Sequence, residues 1–291
     1  MTQRIISTSR QARLDAILEC LLADENETAQ SLSTRFGLSL MTVHRDLDEL
    51  QRRGVIRKFR GGVSVARTST YEISAPLRRL VAVPQKKAIA AAAAASMVAP
   101  GQSILLDDST TVATMLDHLL DIEELHIVTN YLPTLTRIAH DGGATVTAIG
   151  GTFDIGHESF LGVGAVAAIR NLRVDTAFFS TTSADLDGTY HQEESIVPVK
   201  AEMMRSARRR VLLVDSSKLG GTSLHRVSGW KVVDDLVTDI GAPADLLDAL
   251  RAQGVRVTTI DPATPFPEAR REPGTDAVGT DEAGTHDEEK Q

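Results

Sequence analysis

Up to residue 52 the apolar positions of the chain recur three and four apart, and beyond it the period shortens to two. In QARLDAILECLLA (11–23) they fall at Leu14, Ile17, Leu18, Leu21 and Leu22, one face of a helix. After the polar break DENE, Thr28 is placed to cap TAQSLSTRF, a short helix with Leu32 and Phe36 four apart. Gly37 supplies the left-handed turn that ends it. Ser39 caps LMTVHRDLDELQRR, whose Val43, Leu47 and Leu50 share a face, and Gly54 closes that helix. VIRKFRGGVSVA then alternates like a small hairpin, with Gly61-Gly62 near its turn.

From about residue 86 the pattern becomes a regular alternation of two element types. Lys86 to Val98 is an alanine-dominated helix, stopped by Pro100-Gly101. Apolar runs follow at SILLD (103–107), LHIVT (125–129), ATVTAI (144–149), VDTAFF (174–179), RVLLVD (210–215), DLVTD (235–239) and VRVTTI (255–260). Helical patterns lie between most of them, at TVATMLDHLL (111–120), GVGAVAAIRNL (162–172), IVPVKAEMMRSA (196–207) and PADLLDALRAQ (243–253). Strands without polar alternation, interleaved with helices, predict a sheet buried on both faces. The expected fold class is therefore α/β: an N-terminal winged helix-turn-helix over 8–66, a linker over 67–85, and a doubly wound, mostly parallel sheet domain over 86–260. After Ile260 the chain turns acidic and rich in Pro, Gly and Thr, so 261–291 is expected to be a disordered tail.

Composition agrees with the two-domain reading and bounds it. The chain has 291 residues, 42% apolar and 24% charged, with aromatics at 4%, which describes a globular core built mainly from Ala, Val, Leu and Ile. No apolar run reaches the roughly 18 residues of a membrane span. The start MTQRIISTSRQ has neither an apolar core nor a cleavage site, so no secretion and a cytoplasmic location are expected. A single cysteine, Cys20, excludes an internal disulfide and a cysteine metal cage, and reads as a small core filler. The net charge of −8 argues, taken whole, against a polyanion partner. It is unevenly spread: 11 basic against 8 acidic residues over 1–67, 17 against 22 over 68–260, and 3 against 9 over 261–291. The first segment thus carries +3, concentrated late at Arg45, Arg52, Arg53, Arg57, Lys58, Arg60 and Arg67, an electrostatic footprint suited to nucleic acid.

Two helices joined by a short glycine-containing turn, the second bearing polar residues near its start, match helix-turn-helix geometry. Off the apolar face of the second helix lie Met41, Thr42, His44, Arg45 and Asp48. Arginine reads guanine bidentately, threonine donates to base or phosphate, and methionine touches a thymine methyl. The expected DNA-contacting set is Ser39, Met41, Thr42, His44 and Arg45 on this helix, with Arg57, Lys58 and Arg60 on the hairpin wing. Asp46 and Asp48 would repel phosphate if exposed, so one of them is expected to pair inward with an arginine.

In the second domain the polar residues gather after the strands. Asp108-Ser109-Thr110-Thr111 follow the first, Asn130 the second and Gly150-Gly151 the third. Ser180-Thr181-Thr182-Ser183 and Ser216-Ser217-Lys218 follow later ones. Open doubly wound sheets bind ligands at the carboxyl ends of their strands. Hydroxyls, glycines and backbone N–H groups there suit phosphate, Asp107, Asp108 and Asn130 suit sugar hydroxyls, and Lys218 supplies a point charge. The recurrence points to a small, hydroxylated, anionic ligand.

FGLSLMTVHRDLDELQRRGVIRKFRGGV resembles the DNA-binding half of the DeoR family of bacterial transcriptional repressors. The chain keeps the family's Ser39, Thr42, Arg45, Asp46, Leu47, Leu50, Gly54, Arg57, Gly61 and Gly62. It departs at His44, which replaces an arginine, and at Arg60, which replaces a histidine; His44 bears on which operator is read. The resemblance extends to about residue 260. Arg79, Lys87 with Ile89 and Ala90 (the family's Lys-x-x-Ile-Ala), Leu106-Asp107 with Thr110-Thr111, Thr129-Asn130 and Gly150-Gly151 match the sensor domain's motifs. So do Val199-Lys200, Asp215-Ser216-Ser217-Lys218 and Thr238-Asp239. Ser109 replaces the loop glycine, and Ser180–Ser183 stand where a Gly-Ala turn is usual.

The resemblance implies a sensor fold similar to ribose-5-phosphate isomerase and a phosphorylated sugar as effector. The expected effector-binding set is Asp107, Ser109, Thr110, Thr111, Asn130, Gly150, Gly151, Ser180, Thr181, Lys200 and Lys218. The chain is thus expected to be a cytoplasmic transcriptional regulator, a repressor of a sugar-utilisation operon. Its expected partners are a double-stranded DNA operator, a phosphorylated sugar and its own copies, as a dimer or tetramer, with no membrane. The alternative is an isomerase-like enzyme fused to a DNA-binding domain, for which Asp107, Asp108, Asp187, Glu193, Glu194, Lys200 and Lys218 supply candidate groups. A fused reading head gives binding a use without turnover, so no catalytic residues are assigned. A third reading, a second domain that only oligomerises, fits poorly with polar clustering at strand ends. His118, His126, His140, His157 and His225 lack acidic partners at ligand spacing and read as surface or core residues, so no metal or cofactor is expected. His191, in a loop with Gly188, is a candidate for the pocket wall, while Phe153 and Trp230 read as packing residues.

Overall fold

The computed structural model describes residues 10–23, 27–52, 56–65, 75–79 and 81–264. The reading head comprises α1 (Arg10–Ala23), α2 (Ala29–Phe36), α3 (Leu40–Arg52), β1 (Ile56–Phe59) and β2 (Gly62–Val65). Leu14, Ile17, Leu18 and Leu21 of α1, Leu32 of α2 and Val43, Leu47 and Leu50 of α3 close over Ile56 and Val63 into one core, with Cys20 inside it. The turn between the helices forms from local chemistry. The Thr28 hydroxyl accepts from the Ser31 N–H while the Ser31 hydroxyl accepts from that of Thr28, and Gly37 takes φ +63°. The Ser39 hydroxyl then accepts from the Thr42 N–H to start α3. Gly54, Arg53 and Arg67, the first part of the expected linker and the tail from residue 265 lie outside the described residues.

The second unit begins with α4 (Ala75–Arg78), inside the stretch read as a linker, and α5 (Val83–Met97). Next come β3 (Ser103–Leu106), α6 (Thr110–Ala113), α7 (Leu116–Leu119), β4 (His126–Thr129), α8 (Leu132–Asp141) and β5 (Thr145–Ala148). A hairpin, β6 (Thr152–Asp154) and β7 (Ser159–Leu161), leads to α9 (Gly162–Arg170), β8 (Val174–Phe179), β9 (Ser183–Ala184) and β10 (Thr189–His191). The chain closes with α10 (Val197–Ser206), β11 (Ala207–Leu213), β12 (His225–Ser228), β13 (Asp235–Asp239), α11 (Ala244–Ala252) and β14 (Arg256–Ile260).

Seven strands form one parallel sheet in the order β14-β13-β11-β8-β3-β4-β5. The chain enters at β3, runs outward through β4 and β5, then returns to β8 and runs outward the other way. The direction of winding reverses between β3 and β8, where Ile104, Leu105 and Leu106 lie opposite Thr176, Ala177 and Phe178. Alternate residues of β3 face opposite layers. Ile104 and Leu106 pack with Ile89, Ala90, Ala93 and Leu116, and Leu105 packs with Ala165, Ile169, Val199 and Met203 of α9 and α10. Helices therefore cover both faces, which is what continuous apolar strands require. Alanines at positions 90, 93 and 94 are buried, and their small side chains let α5 lie close on the sheet.

Some elements differ from the sequence pattern. The two edge strands, β5 and β14, are largely exposed because each has a neighbour on one side only. TVATMLDHLL divides into two short helices, α6 and α7. Neither α8 nor the β6–β7 hairpin was anticipated. The residues around Gly188, expected as a loop, lie in a small antiparallel sheet of β12, β10 and β9. Trp230 is buried and donates its indole N–H to the Asp185 carbonyl at 2.7 Å, whereas Phe153 packs its ring at a tilt against Phe160, centroids 5.3 Å apart, yet stays partly exposed. Among the described residues no helix is long and apolar enough to cross a membrane.

Candidate functional site

Helix α3 buries Val43, Asp46, Leu47, Glu49 and Leu50 and turns Met41, His44 and Arg45 outward, with Met41 66% exposed. An amphipathic helix that hides two carboxylates has to partner them. Asp46 accepts from Nε and Nη2 of the Arg13 guanidinium, at 2.5 and 3.0 Å, which holds α3 against α1 and is the inward arginine pair expected for one of the two aspartates. Glu49 accepts from Arg10 at 3.3 Å and from Arg52. Asp48 stays on the exposed side, where it pairs with Lys58 of the wing, and that ammonium holds its carboxyl below the ordinary value. Of the wing cations, Arg57 and Arg60 are exposed and Lys58 is engaged with Asp48. The Ser39 and Thr42 hydroxyls lie 2.9 Å apart and serve the start of the helix.

The second constellation sits at the carboxyl ends of β3 and β8, where the winding reverses. A narrow cleft with a cavity volume of about 20 Å³, partly open to solvent, is lined by Ser109, Thr110, Ser180, Thr181, Lys200 and Lys218, six of the expected residues. Arg78, Asp108 and His191 complete its wall. Asp107 lies beneath, fully buried. Its carboxylate accepts from the Ser180 N–H at 2.8 Å, the Ser109 N–H at 3.0 Å and Lys200 Nζ at 2.5 Å. Lys200 comes from α10 and bridges to Asp108 at 3.0 Å, which also accepts from Ser159 Oγ of β7 at 2.9 Å. Burial alone would lower the Lys200 pKa, but Asp107 and Asp108 together hold it above the ordinary lysine value. Burial likewise pushes Asp108 up, yet Lys200, helped by His157 and Arg78, brings its carboxyl well below the usual range.

One further lysine stands behind the cleft wall. Lys86 of α5 is buried and donates to the Thr110 hydroxyl at 3.0 Å and to the Arg78 carbonyl. Burial, with the neighbouring Lys218 charge second, pushes its pKa down to about 7. Counted back from Ile89, the Lys-x-x-Ile-Ala spacing begins at Lys86 and not at the expected Lys87, which is exposed.

Other expected residues are not brought to this cleft. Asn130 follows β4, is buried, and donates to the Phe160 carbonyl at 3.1 Å. Gly150 and Gly151 follow β5 and are exposed; a Cβ on Gly151 would lie 2.5 Å from the Leu161 carbonyl oxygen, so that glycine lets the hairpin pass. Both strands lie on the far side of β3 from β8. Thr111 follows β3 but turns inward and is buried. Of the histidines read as surface or core residues, His157 is a core one: it is buried, with Nε2 3.0 Å from a Glu193 carboxylate oxygen, a partner its sequence spacing did not show, and its ring 5.8 Å from that of His191. Arg78, in the supposed linker, carried no local signal at all.

The family model described as DeoR-like helix-turn-helix domain matches residues 13–69, and that described as DeoR C terminal sensor domain matches residues 82–240. The chain is 31% identical over 241 residues to the HTH-type transcriptional regulator YgbI of Escherichia coli K12, covering 83% of this chain and 94% of that one. To the transcriptional repressor GlcR of Bacillus subtilis it is 27% identical, over 85% and 95% of the two chains. To the L-fucose operon activator of Escherichia coli K12 it is 25% identical, over 79% and 95%. Among solved structures, ribose 5-phosphate isomerase from Plasmodium falciparum aligns with 47% of this chain and 52% of that chain, at 16% identity and a TM-score of 0.35.

Proposed function

The chain belongs to the DeoR family of transcriptional regulators, and from that premise we propose that it represses a sugar-utilisation operon and is released from its operator by a phosphorylated sugar. Helix α3 enters the major groove with Met41, His44 and Arg45 toward base edges, and Arg57 and Arg60 of the wing meet phosphates. Lys58 is shared with Asp48 and contributes less. Ser39 and Thr42 set the helix start against the backbone. A two-fold operator would be read by a homodimer or a higher oligomer.

The observation that carries the effector reading is the cleft between β3 and β8, where Lys218, Arg78 and the Lys86 amine behind Thr110 converge on hydroxyl-bearing loops. Those cations suit the phosphate, and Asp107 and Asp108 fix Lys200 in place among the sugar-facing groups. Arg78 belongs to α4, the first described helix after the wing, so a ligand that engages it acts on the segment leading to the reading head. Effector binding then favours the conformation whose heads are misplaced for DNA, with a coupling of about 1–3 kcal/mol.

An operator titration of the full chain against a panel of sugar phosphates tests this. One of them should release the DNA and be recovered unchanged; its chemical conversion would favour the isomerase reading. Lys218→Ala should abolish release by that compound while DNA binding persists. If every inducing sugar phosphate still releases the Lys218→Ala protein equally well, the cleft is the wrong site.

A further inference from the structure

Two lysines are buried around the cleft and are treated in opposite ways. Lys200 is 3% exposed and lies between two carboxylates. Lys86 is 5% exposed, and both of its hydrogen-bond acceptors, the Thr110 hydroxyl and the Arg78 carbonyl, are neutral. A buried ammonium without a counter-charge is costly and tends to lose its proton. The groups facing Lys86 do not relieve this. Lys218, in the turn after β11, and Arg78 of α4 add positive charge, and Asp215 opposes them only in part. On its other side Lys86 and Thr110 line a second opening with Arg79, Lys87, Asp117 and Arg137. Arg79 is paired there with Glu158, and Arg137 with Asp117 and Asp141. Asp239, at the end of β13, is held by the Ser216 and Gly241 N–H groups.

Thr110 and Lys218 both line the cleft, so a ligand anion there sits one hydroxyl away from the Lys86 amine. We infer that Lys86 makes the cleft selective for doubly charged ligands: a dianion lodged beside Lys218 draws a solvent proton onto the Lys86 amine, and a monoanion does not. The amine becomes an ammonium that still donates to Thr110, and no other bond is made or broken. This rests on the cleft being the effector site and adds its charge rule, which is phosphate ester or sulfate over carboxylate. With its pKa near 7 in the empty protein, Lys86 is already charged at lower pH. As the pH rises through that value the proton has to be acquired on binding, and dianion affinity falls by about tenfold for each pH unit.

Sulfate is the probe, because it remains a dianion across this range and any pH dependence belongs to the protein; acetate is the monoanion control. Calorimetric titration of the full chain in buffers of different ionisation enthalpy counts protons directly. Sulfate binding at about pH 8 should take up close to one proton, and its affinity should fall by about tenfold per unit above pH 7, with acetate weak throughout. Lys86→Met should bind sulfate weakly with no uptake, and Lys86→Arg, permanently charged, should bind it with a flat profile. His191→Gln separates any contribution of the cleft histidine. If Lys86→Met keeps the wild-type pH profile and proton count, the role given to Lys86 is wrong while the cleft reading stands. If sulfate binding survives Lys218→Ala unchanged, or the wild type shows none at any pH, both fall.

Discussion

Lys200→Met removes the one positive charge between Asp107 and Asp108 and replaces it with a side chain of similar length. The wild-type ammonium reaches the two carboxylates at 2.5 and 3.0 Å, and all three side chains are at most 5% exposed. The hydrogen bonds that remain in the variant come from neutral donors, two backbone N–H groups on Asp107 and the Ser159 hydroxyl on Asp108, while His157 and Arg78 still act on Asp108 through space. These do not replace an ammonium bonded to both carboxylates. Removing one partner of a buried ion pair costs about 3–5 kcal/mol. For a unit of this size each kcal/mol moves the midpoint by about 2–4 °C, so the unit should melt about 6–20 °C lower. Trp230 is the chain's single tryptophan and is buried in this same unit, so its fluorescence follows this transition rather than that of the reading head. The pH dependence has a definite sign. In the wild type the Asp108 pKa is depressed, so its contribution is present above the ordinary carboxylate value and fades as the pH falls through the depressed one. In the variant burial at Asp108 is opposed only by His157 and Arg78, its carboxyl takes up a proton more readily, and the deficit against wild type shrinks between about pH 7 and 5. Adding Asp107→Asn to the variant should recover part of the loss. A deficit below about 1 kcal/mol that is the same at both pH values would refute the reasoning, because it would mean the two carboxylates had never depended on Lys200.

The reading head supports three more expectations. Arg45→Ala should weaken operator binding much more than binding to mixed-sequence DNA in parallel titrations; equal losses would make Arg45 a phosphate contact. Asp46→Asn strips the charge from the bidentate bond to Arg13 and should cost the head about 1.5–3 kcal/mol, read by hydrogen exchange at α1 and α3 amides. Unchanged exchange there would show that packing alone holds the two helices together. Asp48→Ala releases Lys58 and removes an anion from the DNA-facing side. It should raise nonspecific affinity and steepen its salt dependence by about one counterion, and a flat result would place Lys58 away from the duplex.

Local pattern was enough to find most elements. The strands read at VDTAFF and DLVTD are β8 and β13 to the residue, because continuous branched and aromatic runs between turn signals have one good solution. The helix-turn-helix was equally plain, since its caps, its Gly37 turn and its apolar face are all contacts between near neighbours. Partners for the buried acids of α3 were half legible: an inward arginine was expected, but nothing in the sequence pointed to Arg13, 33 positions away. The alanine-rich helix was legible as a helix and opaque in its phase. With alanine on every side no periodicity marks the buried face; the spacing of Lys-x-x-Ile-Ala singles out Lys86 over Lys87, and the structure shows that it is Lys86 that faces inward.

The ligand cleft divides in the same way. Sequence by itself determined that polar and charged groups follow each strand, which any parallel sheet gathers at one end. It did not determine which strand ends are neighbours. That depends on the order β14-β13-β11-β8-β3-β4-β5, set by how the two apolar faces are buried over separations of 70 residues and more. The order brings Ser109 and Thr110 together with Ser180, Thr181 and Lys218, and leaves Asn130 and Gly150-Gly151 beyond β3. Lys86 follows the same rule: its charge is decided by what lies against it once the chain has closed, and no sequence spacing encodes the desolvation of an amine.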